Sequence, residues 1–190
     1  LINIIKMLDK ILAFFMLIAL SPLLLIIMLF IVVDDGCPIF FTQKRVGKNY
    51  TFFRMYKFRS MKKNTPNVAT SLLKNPEQYI LKVGKTLRKL SLDELPNLIN
   101  IVKGEMVFVG PRPALYNQDD LMQLRIQAGV DHLKPGLTGW AQINGRDEIS
   151  IEEKVALEKE YLEKKSFLFD VTIFIKTFTS AFIKKEGVSH

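Results

Sequence analysis

The sequence predicts an α+β fold that is mostly helical, and three observations carry this prediction. Residues 11–33 form an uncharged apolar stretch, long enough for a membrane-embedded helix. Residues 39–61 are rich in β-branched and aromatic side chains on both sides of a glycine-containing turn, which is typical of a small β-hairpin. Most of the remaining chain has the spacing and capping residues of helices. A length of 190 residues allows one domain with a modest core.

The net charge and the cysteine content indicate what kind of partner the protein binds and in which kind of compartment it is found. The chain has 27 Lys and Arg residues against 19 Asp and Glu residues, a formal net charge of +8. This balance favours anionic partners, namely phosphates, nucleic acid or an acidic membrane surface. Cys37 is the only cysteine, so an internal disulfide is excluded and a reducing compartment is predicted.

The apolar stretch is the strongest single signal in the sequence. As a straight helix it would measure roughly 35 Å, at about 1.5 Å per residue, against about 30 Å for the hydrocarbon core of a bilayer. We therefore expect membrane insertion. A cleaved signal peptide is a poor alternative, because the stretch is too long and no small-residue cleavage site follows it.

Ser21 and Pro22 interrupt this stretch near its middle. A proline lacks an N–H and crowds the carbonyl four residues earlier, so we expect a kink, with the Ser21 hydroxyl bonding to freed backbone. Two arrangements fit: a kinked helix that spans the bilayer, or a re-entrant helix-break-helix that enters and leaves at one face. Positive charge on both sides of the stretch disfavours a spanning helix, because one of its ends would lie on the exterior side of the membrane. The flanking basic residues are Lys6, Lys10, Lys44, Arg45 and Lys48.

Beyond the apolar stretch, we expect a β-hairpin that turns at residues 47–49 and then a loop. Helical patterning resumes near Ile80, where Leu81, Leu87 and Leu90 have the spacing of buried positions.

The second half of the chain is predicted to consist of helices joined by loops. Ser150 and Glu153 form a capping-box pattern, and Gly104 is a predicted C-terminal glycine. The final apolar and lysine-containing element suits either a helix at a membrane surface or a core helix. The predicted helices cover about residues 95–103, 117–129, 151–165 and 168–185, with a proline-bracketed loop over 109–115 and an irregular glycine-rich segment over 132–146.

Asp93 and Glu94 lie side by side in a leucine-rich stretch, two residues before Pro96. The ordinary explanation is helix capping, with Ser91 as N-cap and Glu94 as its N3 partner. In that register Pro96 would occupy the first position whose N–H bonds within the helix, so we expect the helix to begin at Leu92 or later. Both acids then lie at the mouth of the helix, where free N–H groups keep carboxylates ionised and attract phosphate.

Basic residues surround this acidic pair. Residues 44–63 hold eight Lys and Arg residues and no acid, and for most of them a solvated or headgroup-facing surface is the better interpretation. On a strand, Lys57 and Arg59 would share one face. The other basic residues near the pair in sequence are Lys85, Arg88 and Lys89 before it and Arg112 after it.

Carboxylates beside several arginines near a helix start suggest phosphoryl chemistry. An ionised carboxylate can bind Mg²⁺ or attack phosphorus. Because like charge opposes attack on a diphosphate, Mg²⁺ and arginines have to neutralise that charge in the transition state. One alternative is a membrane-tethered module that binds anionic lipid or nucleic acid through residues 44–63 without catalysis. Another is a phosphohydrolase on a spanning anchor.

Four stretches occur in order along the chain after the Ser21-Pro22 break: "FRMYKFRSM", "LSLDELPNLINIVKGEM", "FVGPRPAL" and "KPGLTGWAQINGR". This set resembles the bacterial sugar transferase family, the monotopic phosphoglycosyl transferases, and most closely their small PglC-like type. The ordered set is specific, although any one stretch alone is weak. Where members often carry a Lys-Arg pair before the membrane helix, this chain has Ile5-Lys6, with Asp9 kept.

The resemblance implies an architecture and an activity. Residues 1–35 would form a re-entrant membrane helix bent at Ser21-Pro22, and residues 36–190 a compact catalytic domain with amphipathic interfacial helices, on the cytosolic face of the bacterial inner membrane. The enzyme would transfer a phospho-sugar from a UDP-sugar to polyprenyl (undecaprenyl) phosphate, release UMP and use Mg²⁺, thereby initiating glycan assembly. Membrane lipids are further partners, and no nucleic acid is expected.

The resemblance also implies roles for single residues. Asp93 would be the nucleophile that forms an aspartyl phospho-sugar, and Glu94 its dyad partner in metal binding or proton handling. Both carboxylates would hold Mg²⁺. Arg112 would hold phosphate in the Pro-Arg-Pro loop. Lys57, Arg59 and Arg88 are expected to contact phosphate or headgroups, and Gln142, Asn144 and Arg146 the nucleotide-sugar.

Overall fold

The computed structural model describes residues 2–66, 75–145 and 149–183. Within them the predicted mostly helical α+β arrangement is confirmed. The helices are α1 (Ile2–Ala19), α2 (Ser21–Asp35), α3 (Lys82–Lys89), α4 (Asn97–Lys103), α5 (Asp119–Gln127), α6 (Trp140–Asn144), α7 (Ile151–Lys164) and α8 (Phe167–Ile183). The strands are β1 (Phe40–Val46), β2 (Phe52–Phe58), β3 (Val107–Val109) and β4 (Gly136–Thr138).

The first two helices meet at a sharp bend at the predicted break. Met7–Ala19 and Ser21–Asp35 are inclined by 63° to one another. Pro22 lies in the first turn of α2, where a missing N–H costs nothing, and the Ser21 hydroxyl donates to the Ile18 carbonyl at 2.7 Å. Across the described ranges, length and composition would let this bent pair together, but no single helix, cross a bilayer.

The chain divides into two compact units that are discontinuous in sequence. One comprises the described residues of Leu1–Ile11, Lys44–Arg54 and Asn100–His190, and the other Leu12–Gln43 and Met55–Ile99. The predicted boundary at residue 35 separates a membrane anchor from a catalytic domain. It describes insertion into a membrane rather than packing within the protein, and it stays a prediction.

The unit that contains α2 and α3 has a small apolar core. Ile27 and Ile31, one helical turn apart, pack with Phe58, Leu81 and Leu87. Burial of Leu81 and Leu87 is thus confirmed.

Leu90 does not join this core, so its predicted burial is wrong: its side chain is 49% exposed. The physical reason is that α3 ends at Lys89 and Ser91 takes a left-handed backbone conformation, with φ of 54°. Leu90 therefore leaves the helical period on which the prediction depended.

The other unit is organised around α5, α7 and a two-stranded parallel sheet. Val107 pairs with Gly136 and Val109 with Thr138 in β3 and β4. The sequence prediction missed both strands because each is three residues long, and it missed α6 in the segment expected to be irregular. A second core cluster consists of Val46, Ala114, Leu121, Met122 and Val155.

Several local signals in the sequence are confirmed. Strands β1 and β2 pair as a hairpin, and the connection contains Asn49 with φ of 51°. Ser150 and Glu153 form a complete capping box at the start of α7. Gly104, with φ of 79°, directly follows α4. In each case the local backbone conformation follows from the residue type.

Candidate active site

The acidic pair lies in a short 3-10 turn, Leu92–Glu94, directly before α4. Ser91 is left-handed and its side chain makes no capping hydrogen bond, so the explanation of the pair as a Ser91 capping box is wrong. The late helix start expected from Pro96 is confirmed, because regular α-helix begins only at Asn97. Asp93 and Glu94 therefore lie in a tight turn, and they do not form a capping box with Ser91.

The two adjacent carboxylates have different environments. Glu94 Oε1 accepts a hydrogen bond from Lys57 Nζ at 2.7 Å in a largely buried salt bridge. Asp93 is half-buried, but in the part of the chain that the structure describes its carboxylate makes no salt bridge. Burial raises the pKa of Asp93, and the Glu94 charge adds to that rise, while Lys57 and Arg88 oppose it. Asp93 is thus the less neutralised of the two carboxylates.

The basic residues predicted around the pair have different positions. Lys57 binds Glu94, and Arg88 lies exposed in the last turn of α3, close enough to lower the pKa of Asp93. Arg59 is buried, and its guanidinium bonds to Asp35 and to the carbonyls of Gly36 and Pro38. Arg59 therefore fixes the chain after α2. That position does not favour the phosphate or headgroup contact expected from it, which stays a prediction.

The donor set at the acidic pair is compatible with Mg²⁺ only in part. Carboxylate oxygens are its preferred protein ligands, and Asp93 and Glu94 supply them. Within the described ranges, no group of three or more His, Cys, Asp or Glu residues could hold a metal ion. Mg²⁺ commonly uses one or two carboxylates and takes the remaining ligands from water and substrate phosphates, so the pair fits that mode.

The second set of predicted residues belongs to the unit built on β3 and β4. The chain leaves β3 directly into Gly110-Pro111-Arg112-Pro113, and it leaves β4 into Gly139 and α6. Gly110 N–H donates to the Thr138 carbonyl and Gly136 N–H to the Pro111 carbonyl, both at 2.8 Å. A Cβ at Gly139 would lie 2.1 Å from the Gly110 oxygen, so only glycine permits this close approach.

The residues predicted to contact the nucleotide-sugar differ in exposure. Asn144 is exposed and donates to the Trp140 carbonyl at 2.7 Å. Gln142 is half-buried, and within the described ranges its Oε1 atom is buried without a hydrogen-bond partner. Arg146 lies outside the described residues. A buried acceptor that lacks a donor is costly, so Gln142 Oε1 is a candidate ligand contact.

Comparison with known proteins identifies the family. The family model for bacterial sugar transferases matches residues 2–184. This chain belongs to the bacterial sugar transferase family. Family membership favours the enzyme over the binding module and the phosphohydrolase considered from the sequence.

Several curated proteins are similar to this chain over most of its length. The exopolysaccharide production protein ExoY of Sinorhizobium fredii is 40% identical, covering 89% of this chain and 81% of its own length. The sugar transferase EpsL of Bacillus subtilis is 38% identical, covering 96% and 89%. The UDP-glucose:undecaprenyl-phosphate glucose-1-phosphate transferase of Escherichia coli is 38% identical over 93% of this chain but only 40% of its own length.

Sequence reasoning missed one prominent feature of this family member, a buried ion pair between Arg125 and Glu158. Arg125 is 5% exposed and Glu158 is 2% exposed. A signal was present, since Glu158 lies at helical spacing between the buried Val155 and Tyr161 in α7. An acid on a buried stripe implies a buried basic partner.

Proposed function

We propose that this bacterial sugar transferase moves a sugar phosphate from a UDP-sugar to polyprenyl phosphate through a covalent intermediate on Asp93. The Escherichia coli relative and a relative from Salmonella typhimurium that is 34% identical, an undecaprenyl-phosphate galactose phosphotransferase, are both named for undecaprenyl phosphate, which supports the acceptor class. The observation that carries the proposal is the asymmetry of the acidic pair: Lys57 engages Glu94 and leaves Asp93 as the carboxylate available for attack.

The proposed reaction has two displacements at one phosphorus atom. A carboxylate oxygen of Asp93 attacks the β-phosphorus of the UDP-sugar, the bond from that phosphorus to the bridging oxygen breaks, and UMP leaves with the electron pair. A phosphate oxygen of the polyprenyl phosphate then attacks the same phosphorus and displaces the Asp93 carboxylate. The products are UMP and a polyprenyl diphosphate-sugar, and neither reaction step needs an oxidant or a reductant.

The local environment suits Asp93 to both steps. A raised pKa makes the carboxylate a better nucleophile than an ordinary aspartate, while the positive charges of Lys57 and Arg88 oppose that rise and favour the ionised form. The Glu94 carboxylate is held by its hydrogen bond to Lys57 Nζ. We therefore assign Glu94 a supporting role in the site and the attack on phosphorus to Asp93.

Neutralisation of the diphosphate is the main electrostatic requirement. Asp93 and Glu94 would hold Mg²⁺ together with donor phosphate oxygens and water. When bound, the ion supplies positive charge against the negative charge of the transferring group. Arg88 and, in the Pro-Arg-Pro loop, Arg112 would add fixed positive charge, since guanidinium groups match phosphate geometry.

Recognition of the donor would draw on the segment after β4. Gln142 Oε1 would accept a hydrogen bond from the nucleotide-sugar, which removes the cost of a buried unpaired acceptor. Asn144 and Arg146 are proposed as further contacts to the UDP-sugar. The sugar itself is not specified by these residues.

Membrane association follows from the acceptor chemistry and the bent helix pair. We propose that α1 and α2 enter and leave the bilayer at the cytosolic face of the inner membrane, so that a lipid-borne phosphate at the headgroup level reaches Asp93. The apolar side chains exposed along this pair favour insertion. Helix α8 would lie at the membrane surface through its exposed residues Phe167, Leu168, Val171 and Ile175.

The test is a single-turnover experiment on the full chain. The enzyme is incubated with Mg²⁺ and a panel of UDP-sugars without acceptor, UMP is measured, and the protein is digested for mass spectrometry. We expect UMP and a sugar-phosphate adduct on Asp93 with one UDP-sugar class. Addition of undecaprenyl phosphate should remove the adduct. Asp93→Asn should form no adduct, and normal turnover by this variant, or an adduct on another side chain, would contradict the proposal.

A further inference from the structure

The main chain of the Pro-Arg-Pro loop is held at every carbonyl from Pro111 to Ala114. Both prolines lack an N–H, so the loop presents acceptors to the surrounding protein and few donors. The partners are two backbone amides and two arginine side chains. Gly136 N donates to Pro111 O at 2.8 Å, Arg125 Nη2 to Arg112 O at 2.9 Å, Arg45 Nη1 to Pro113 O at 2.9 Å, and Val46 N to Ala114 O at 3.0 Å.

The bond to the Arg112 carbonyl comes from the buried ion pair. Arg125 Nε lies 2.8 Å from Glu158 Oε2, and Arg125 Nη2 lies 2.5 Å from Glu158 Oε1. The carboxylate therefore binds two nitrogens on one edge of the guanidinium and fixes its plane. The same Nη2 nitrogen, which carries two hydrogens, also donates to the loop.

Stability alone is a weak explanation for this pair. Replacing a buried ion pair by apolar side chains of similar volume is often neutral or stabilising, because both charges lose their hydration on burial. Apolar side chains would fill the same space between α5 and α7. They would not donate to the Arg112 carbonyl, which is the one contact in this arrangement that requires the guanidinium.

We propose that Arg125, oriented by Glu158, is a positioning residue for Arg112. It fixes the backbone from which the Arg112 side chain extends, and thereby the direction in which that guanidinium meets an anionic phosphate. The inference rests on the proposed function, in which Arg112 holds a phosphate of the UDP-sugar. Arg125 and Glu158 themselves are buried and do not touch the substrate.

The test is a mutant cycle on the full chain purified in detergent, with kcat and KM for the UDP-sugar as readouts. The variants are Arg125→Met/Glu158→Met, Arg112→Ala and their combination. We expect the Met pair to keep the thermal unfolding midpoint near that of the parent and to lower kcat/KM by about tenfold, mainly through KM. In the Arg112→Ala background the Met pair should have no further effect. Lys164→Ala, which breaks an exposed ion pair with Glu160 on α7, should leave both parameters unchanged.

The outcomes separate the inference from the proposed function. An equal loss of kcat/KM in both backgrounds would mean a general structural effect and overturn the positioning role, while the aspartyl chemistry would stand. Full activity of Arg112→Ala would instead show that the phosphate role of Arg112 is wrong, and the inference would fail with it. If the Met pair does not fold, Arg125→Lys replaces it in the same cycle, because lysine keeps the charge beside Glu158 and lacks the forked donor geometry.

Discussion

Lys57 Nζ lies 2.7 Å from Glu94 Oε1, in a salt bridge in which both side chains are about four-fifths buried. The contact joins strand β2 to the turn before α4 and gives two neighbouring acids unequal environments. Glu94 is neutralised at short range, whereas Asp93 receives the Lys57 charge only through space. One lysine therefore both holds Glu94 in place and opposes the rise in the pKa of Asp93.

Substitution of Lys57 should change the pH dependence of the reaction. Burial raises the pKa of Asp93 and Lys57 lowers it, so Lys57→Met should raise that pKa further. Because the nucleophile has to be ionised, the acid limb of kcat/KM should move to higher pH. The pH profile of UMP release checks this. Lys62→Met, which removes an exposed lysine just beyond β2, is the matched control, and an equal shift in that variant would refute a local effect of Lys57.

Removal of metal should stop the first chemical step. The described protein residues offer only part of a coordination sphere, so we expect Mg²⁺ to bind weakly to the enzyme alone and more tightly once the UDP-sugar is present. Calorimetric Mg²⁺ titration with and without the donor measures this difference, and chelation should abolish the Asp93 adduct. Tight binding of Mg²⁺ without any donor would argue for a complete protein site.

Gln142 should show the signature of a ligand-binding acceptor. Gln142→Leu removes a buried oxygen that has no partner in the described protein together with a long, 3.4 Å hydrogen bond from Nε2 to the Leu137 carbonyl, so thermal stability should stay nearly the same. The KM for the UDP-sugar should rise by about tenfold, through loss of one hydrogen bond from the donor. Gln127→Leu, at an exposed position of α5, serves as the control. A lower unfolding midpoint with unchanged KM would make Gln142 purely structural.

Pro22 should determine the course of the apolar helices. Pro22→Ala removes the ring that crowds the preceding turn and lets one helix continue through the break, so the 63° bend should relax toward a straight helix. In cells, a cysteine placed at residue 2 in a Cys37→Ser background should be labelled only from the cytosol in the parent and partly from outside in Pro22→Ala. Labelling of the parent from outside would rule out the re-entrant arrangement.

Asp170 should make stability depend on pH. Tyr161 donates to its carboxylate at 2.6 Å, and burial raises the pKa of Asp170, while that hydrogen bond and Lys165 lower it. An acid with a raised folded-state pKa destabilises the fold once it ionises, so stability should fall as pH rises through that pKa. Asp170→Asn stays neutral and can still accept from Tyr161. Its melting temperature should exceed that of the parent at pH 8, and the two should converge in acid; a lower value at pH 8 would contradict this.

The sequence predicted features that depend on neighbouring residues. Pro22 bends the apolar stretch, Pro96 delays the start of α4, and Ser150 caps α7, because each restricts or bonds the backbone within one turn. The acidic pair was found in the same way. Leu90 shows the limit, since a left-handed residue directly after α3 ended the period from which its burial was inferred.

The sequence by itself determined the mostly helical class, the bend at Ser21-Pro22 and the placement of Asp93 and Glu94 before a helix, since these follow from local backbone restriction and apolar spacing. Only the tertiary structure decided how the charges are shared. In the folded chain Lys57 forms a salt bridge with Glu94, and Arg59 bonds to the chain that follows α2. Arg125 forms an ion pair with Glu158 and donates to the Arg112 carbonyl. Partners 33 to 37 residues apart in two of these pairs have no periodicity that links them, and chain folding alone brings them together.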